Sequence, residues 1–405
     1  MAFDSDLVRS NFPILNRRIN GYPLVYLDSA ASAQKPRAVI DAMSRAMEYS
    51  YANVHRGLHT LANETTEAYE GARAAAARLV NAPSPDQMVF TKGATEAINL
   101  VAAGLGQSWS EGDEIIVSEL EHHANYVPWN FLRERKGLVI RFVPVTDDGR
   151  LDLDAYERLF TPKTKMVALT HMSNVTGAIS DVKRIIAAAH AHDVPVLLDG
   201  CQAVVHSKID VQAFDVDFYV FSSHKLYGPT GLGFLYGKAE HLAALPPYQG
   251  GGEMIGSVGL DRITYAEPPH RFEAGTPPIL EAIGFKAAVE WLEGVDREGA
   301  HAHELSLYRR VRDALAGDNA VRILGDCEHK GAVLSFVVEN AHAHDIAQIL
   351  DRYGVAVRAG THCAEPLMRR FGVTSSARAS FALYNTVEDA DAFIEALGKA
   401  RQFFA

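Results

Sequence analysis

Cysteine is scarce in this chain: Cys201, Cys327 and Cys363 are the 3 among 405 residues. A scattered, odd-numbered trio excludes a disulfide framework and a cysteine-built zinc centre, and it reads as a chain kept in a reducing compartment. No apolar run is long enough to cross a bilayer. The first residues, Met1 to Asp6, have neither the basic start nor the apolar stretch of a secretory signal. The expectation is a cytoplasmic protein with no membrane partner. A basic stripe is lacking too. Acids outnumber bases, 50 to 39, the formal charge is -11, and the two signs are interspersed. That argues against nucleic acid as a partner.

What is present is an ordinary globular composition, 48% hydrophobic and 22% charged, over a length that suggests two or three domains. Short apolar runs alternate with helical patterns. Strands are expected at Met88–Thr91, Glu114–Ser118, Val139–Val143, Met166–Thr170, Val194–Leu198, Val216–Phe221 and Gly231–Tyr236, and helices at 36–49, 65–79 and 280–294. Such alternation predicts a mostly parallel sheet covered on both faces. The C-terminal part reads as α+β, with strands near 321–324, 332–338 and 355–358. Two segments, Tyr248–Gly259 and Phe272–Pro278, read as loops, the first made flexible by Gly250, Gly251 and Gly252.

The polar tips of these apolar runs carry the chemistry. Val216 to Phe221 ends in Ser222-Ser-His-Lys225, and open α/β sheets bind their ligands at the carboxyl ends of strands. A lysine there can act as a nucleophilic amine toward a carbonyl. Pyridoxal phosphate is the commonest carbonyl cofactor held this way, and it needs an acidic partner for its ring nitrogen. Asp199, at the preceding strand tip, is such an acid. The separation, 225 − 199 = 26, fits one crossover between neighbouring strands. Thr91-Lys-Gly-Ala-Thr95 is a glycine turn opening a helix, the form of an anion site. His122 and His123 are adjacent, so they do not face the same way and do not share a metal. One ring could instead lie over a planar cofactor. His190/His192, His301/His303 and His342/His344 lack completing ligands, and no metal site is expected.

Asp199-Gly-Cys-Gln202 together with Ser222-Ser-His-Lys225-Leu-Tyr-Gly-Pro-Thr-Gly resembles the fold-type I pyridoxal phosphate enzymes of aminotransferase class V. Tyr26-Leu-Asp-Ser-Ala-Ala-Ser, Val54-His-Arg-Gly-Leu-His59, Glu121-His-His-Ala-Asn, Ser173-Asn-Val, Phe272-Glu-Ala-Gly-Thr-Pro and Arg358-Ala-Gly-Thr-His-Cys363-Ala-Glu-Pro-Leu narrow the resemblance to the Suf-type (SufS-like) cysteine desulfurases. It covers nearly the whole chain. Thr361 departs from it, standing where many Suf-type members carry His.

The resemblance implies an α/β fold with a large domain, a mostly parallel seven-stranded sheet, and a smaller α+β C-terminal domain. The expected division is an N-terminal segment over 1–20 packing with the small domain, the large domain over 21–285, and the small domain over 286–405. It also implies the reaction: L-cysteine gives L-alanine, and the sulfur passes to Cys363 as a persulfide and then to an acceptor for iron–sulfur cluster assembly. Selenocysteine lyase activity is a further implied possibility. The implied catalytic residues are Cys363, Lys225 and His122. Asp199, Gln202, Thr95, Ser222, His224 and Thr276 join Lys225 and His122 in holding the cofactor, Thr276 from a second subunit. Arg358, Arg378, Asn174, His55 and Ala30 are the implied substrate contacts. A homodimer and a small acceptor protein, SufE-like or SufU-like, are the implied partners. Arg358, His362 and Arg378 would favour a thiolate at Cys363. A transaminase or a kynureninase-like lyase with an incidental Cys363 is the alternative enzyme. A sulfur-assembly scaffold without catalysis is the non-enzymatic one, and the presence of Lys225 and Asp199 argues against it.

Overall fold

The computed structural model describes residues 3–404. Its centre is a seven-stranded sheet of β1 (Met88–Thr91), β2 (Glu114–Ser118), β3 (Val139–Val143), β4 (Thr164–Thr170), β5 (Val196–Asp199), β6 (Phe218–Ser222) and β7 (Gly233–Gly237). The spatial order is β1-β7-β6-β5-β4-β2-β3. All pairings are parallel except those of β7, which runs antiparallel to both β1 and β6. Every residue of β2, β5 and β6 is buried, as continuous apolar strands between two covered faces must be. β3, at the edge, alternates instead.

Alternate residues of one strand enter different cores. On β6, Phe218 and Val220 pack with Ala97, Ile98 and Val101 of α3 (Ala94–Leu105). Tyr219 and Phe221 pack on the opposite face with Tyr69 and Ala72 of α2 (Thr60–Val80) and Phe285 and Val289 of α4 (Ile279–Glu293), against which α1 (Arg37–Tyr49) also lies. The period of two thus sets which helix covers which face.

A second, four-stranded antiparallel sheet runs β8 (Val321–Ile323), β9 (Val333–Val338), β11 (Ser376–Ser380), β10 (Arg358–Gly360) in space. Its core takes residues from α5 (Arg297–Leu315), α6 (Ala343–Arg352) and α8 (Val387–Gln402), and also Val25 and Leu27. The strand Val25–Tyr26 pairs in parallel with Val355–Ala356, so this early stretch is built into the C-terminal sheet unit. Arg9 reaches the same unit, donating to the Tyr384 carbonyl and pairing with Asp389 at 2.9 Å.

Two local readings change. Tyr248–Gly259 is not uniformly loop: Ile255–Val258 pairs with Ile263–Tyr265 as a hairpin. β11 lies where no strand was expected. Its sequence, Ser-Ala-Arg-Ala-Ser, is buried throughout and has no branched or aromatic residue to betray a strand.

Candidate active site

The tips of β5 and β6 open on a cavity of about 210 Å³ between the two sheet units. Of the residues picked out from sequence, Ala30, Thr95, His122, Asn174, Asp199, Ser222, His224, Lys225, Arg358, Cys363 and Arg378 line it. Asp199 is only 5% exposed. Its Oδ1 accepts one bond, from the Cys201 N–H at 3.0 Å, and among the described residues it has no ion-pair partner. A buried carboxylate left so is costly unless a cation or N–H donor meets it. Lys225 sits on the single helical turn Ser223–Lys225 that ends β6.

The anion end is built by close backbone approach. β1 turns at Gly93 straight into α3, and Ser222 Oγ accepts from the Ala94 N–H at 2.9 Å. A Cβ on Gly233 of β7 would lie 2.4 Å from Gly93 Cα, so only glycine lets the strand pass the turn. Thr95 then stands in the first turn of α3, where the positive end of the helix favours an anion. His224 is held neutral: burial, Lys225 and Lys35 push its pKa down to about 4. Its carbonyl accepts from Lys35 Nζ at 2.9 Å, and the same amine bonds the Ala33 carbonyl. Lys35, whose pKa burial lowers to about 8, therefore ties the Ala30–Ala33 loop to the turn bearing Lys225. Its position after a loop of small residues gave no sequence signal for this.

His122 is also neutral. Burial and Lys225 push it down to about 4, against the pull of Asp199. Its Nδ1 accepts from the Ala124 N–H at 3.1 Å, which leaves the ring proton on Nε2. Beneath it Glu121 is buried. Its carboxyl accepts from Ser118 Oγ, the Thr170 N–H and Asn125 Nδ2, while burial pushes its pKa up to about 8. These bonds fasten the turn bearing His122 to the ends of β2 and β4.

Arg358 and Arg378 face each other across β10 and β11. Like charges directly opposite repel, and Asp28 offsets this, at 3.3 Å from Arg378 and 3.9 Å from Arg358. Arg378 Nη1 also donates to the Asn174 carbonyl at 2.9 Å, and its buried Nε has no partner. A buried guanidinium with a spare N–H beside an exposed second one is a fork for a carboxylate.

The three cysteines differ sharply. Cys363 is exposed, whereas Cys201 and Cys327 are buried. Burial and Asp199 push the Cys201 thiol up to about 12, and burial raises Cys327. His362 contributes no positive charge to Cys363, contrary to the sequence expectation. Burial and Arg378 push its pKa down to about 3, and its Nε2 donates to Ser376. Of the three expected neighbours, Arg358 and Arg378 supply positive charge on the cavity that Cys363 lines.

Three expected residues do not line this cavity. Gln202 is buried behind it, donating Nε2 to the Ala30 carbonyl at 2.8 Å. His55 lines a separate cavity of about 300 Å³ with Tyr69, His270 and Glu273, and its ring is 2.9 Å from Glu70. Thr276 is exposed. Among the described residues no three His, Cys, Asp or Glu side chains converge as a metal site. His192 stacks on Phe160 and His303 bonds the Asn385 carbonyl. The cavity does fit pyridoxal phosphate. An anion-receptive helix start, an unpaired buried carboxylate, an imidazole and an amine surround one space.

Comparison with known proteins points the same way. The aminotransferase class V family matches residues 25–393. A cysteine desulfurase of Dickeya dadantii is 48% identical over 394 residues, 97% of this chain and 95% of that protein. A probable cysteine desulfurase of Streptomyces coelicolor is 46% identical over 413 residues, 99% of this chain and 98% of its own. The crystal structure of the cysteine desulfurase CsdA from Escherichia coli, in its S-sulfonic acid form, matches at a TM-score of 0.93 with 42% identity, covering 100% of both chains.

Proposed function

This chain belongs to the aminotransferase class V family, and from that premise we propose that it is a pyridoxal phosphate-dependent L-cysteine desulfurase. The observation that carries the proposal is the placement of an exposed Cys363 on the same cavity as Lys225 and Asp199. Bound there, pyridoxal phosphate supplies an electron sink for bonds breaking at the substrate.

The chain's residues do the rest. Lys225 would hold the cofactor by its carbonyl and would move the proton at the substrate Cα. Asp199 would be the acidic partner that keeps the ring nitrogen protonated. Thr95, Ser222 and the start of α3 would hold the phosphate, with His224 as a neutral hydrogen-bonding group. His122, with a proton on Nε2, would pack on the cofactor and serve acid–base work. Arg358, Arg378 and Asn174 orient the substrate carboxylate beside the Ala30 backbone. The Cys363 thiolate attacks the substrate sulfur, so one S–S bond forms and the substrate's Cβ–S bond breaks. The electron pair passes to the carbon side, which takes up a proton and leaves as alanine. The balance is L-cysteine plus the Cys363 thiol giving L-alanine plus the Cys363 persulfide, with no outside oxidant.

The finer assignments belong to the same proposal. The Suf-type subgroup rests on the number and order of the motifs, with Thr361 departing from it, and the acceptor is the discriminating property. A SufE-like or SufU-like protein would take the outer sulfur by thiol exchange and pass it toward iron–sulfur cluster assembly. Thr276 would reach the phosphate from the second subunit of a homodimer, and Gln202 would offer its amide to the cofactor's phenolic oxygen. A large domain over 21–285 would hold the cofactor, and a small one over 286–405 the sulfur loop, in a cytoplasmic enzyme. Selenocysteine is a second candidate substrate. The test is incubation of the holoenzyme with L-cysteine, reductant and no keto acid. Alanine and sulfide in equal amounts support the proposal. No alanine, with an amino acid made from the keto acid only when one is supplied, would overturn it in favour of transamination.

A further inference from the structure

Cys363 occupies an unusual backbone. It and His362 are consecutive non-glycine residues at positive φ, +55° and +53°. Each left-handed residue is unfavourable by about 1–2 kcal/mol, and such a conformation persists only where surrounding bonds over-determine it. One bond comes from Asn174, whose Nδ2 donates to the His362 carbonyl at 2.8 Å. The turn also closes on itself, the Ala364 N–H donating to the Thr361 carbonyl at 2.9 Å, and the His362 ring bonds Ser376. Two further bonds come from one residue. The His123 N–H donates to the Cys363 carbonyl at 2.7 Å, and His123 Nε2 accepts from the Glu365 N–H at 3.1 Å.

The second bond answers a local need. Glu365 is the first residue of the short helix α7 (Glu365–Arg370), which follows the cysteine directly. Helix-start N–H groups need acceptors. Ala364, at the capping position, has no side chain to offer one, and Pro366 follows. An imidazole from a turn more than two hundred residues earlier fills that role. Because Nε2 accepts, the ring proton is on Nδ1.

We infer that His123 is the positioning residue of the sulfur loop: it grips Cys363 from both sides, through its backbone to the cysteine carbonyl and through its ring to the helix behind. This rests on the proposed desulfurase reaction and deepens it. His122 and His123 divide the labour of one dipeptide. The first faces the cofactor cavity and the second holds the nucleophile, with ring centroids 6.4 Å apart and planes at 48°. Movement of the loop is thereby coupled to the turn that carries the cofactor-facing ring, and Glu121 anchors both through Asn125.

The test uses the holoenzyme with His123→Ala and His123→Gln, the amide of Gln offering an oxygen for the Glu365 N–H. His123→Ala should lower kcat about threefold to tenfold, the scale of one lost hydrogen bond. KM for L-cysteine and the visible absorbance of the bound cofactor should not change. His123→Gln should recover most of the loss. Alkylation of Cys363 by iodoacetamide without substrate, followed by peptide mass spectrometry, should be faster in His123→Ala than in wild type and near wild type in His123→Gln. Equal kcat and equal alkylation rates in all three proteins would overturn the assignment. So would a lost cofactor absorbance in His123→Ala, which would place the residue in the cofactor site. The alkylation arm needs no turnover. If wild type fails to make alanine, the desulfurase reading falls while the alkylation rates still decide the role of His123.

Discussion

The cofactor cradle and the sulfur loop face each other across one cavity, and they are built by opposite means. In the cradle, Asp199 and Ser222 are the last residues of neighbouring strands, and the register pairs Asp199 with Val220, which leaves Ser222 two residues further along β6. Their surroundings are buried and belong to the largest sheet of the molecule. In the loop, Cys363 is exposed, its backbone is left-handed, and its position depends on bonds from His123 and Asn174 in distant segments. A strand tip places a group through many cooperative contacts, whereas a loop places it through a few that can be removed singly. The cradle suits a cofactor that stays. The loop suits a sulfur that must first meet the substrate and then a second protein.

If this contrast holds, damage to the cradle removes everything and damage to the loop removes only transfer. The largest effect is expected at Lys225. Lys225→Ala should lose the characteristic visible absorbance of the bound cofactor and reduce alanine release by about 10³-fold or more, as when one member of a catalytic unit is deleted. Wild-type absorbance and rate in that variant would break the comparison at its firmer side. Arg378→Lys is a milder change, because it keeps the charge but loses the fork that spans Asn174, Asp28 and the cavity. It should raise KM for L-cysteine roughly tenfold to a hundredfold, the range for a hydrogen bond to a charged group. Steady-state kinetics with the absorbance as control separate this from cofactor loss.

The smallest effect is on pH dependence, and it sharpens the contrast. His122, His171 and His224 are depressed to about 4 and His362 to about 3, all chiefly by burial. In the unfolded chain each titrates near 6.5. Between pH 6.5 and 4 the unfolded state therefore binds more protons, so the stability these neutral rings contribute is complete above pH 6.5 and is lost as pH falls toward 4. Thermal unfolding followed across that range should show Tm falling steadily on acidification. His362→Gln should flatten part of the slope, and a slope identical to that of wild type would show that His362 is not held neutral by burial.

These differences also explain what could be read from the sequence. The seven strands of the large sheet, the Asp199–Lys225 pair and the α3 anion turn were legible because apolar runs with polar tips carry their own signal. β11 was not, since Ser-Ala-Arg-Ala-Ser lacks strand-favouring residues, and Arg378 was found only through family resemblance. Glu121, Lys35 and His123 were missed for a common reason: their work is to join segments far apart in sequence, and nothing local marks it. His362 was misjudged as a cation because its burial depends on β11 packing behind it. The hairpin Ile255–Tyr265 hid among glycines, with its side chains largely exposed and no clear alternation.

The claim that the loop, and not the protein's other thiols, takes the sulfur is tested most directly by mass spectrometry. The wild-type holoenzyme is given one equivalent of L-cysteine without reductant or acceptor, alkylated, digested and mapped. One added sulfur on the peptide containing Cys363, matched by one equivalent of alanine, is the predicted result. Added sulfur on Cys201 or Cys327, or alanine released with Cys363 unmodified, would contradict it.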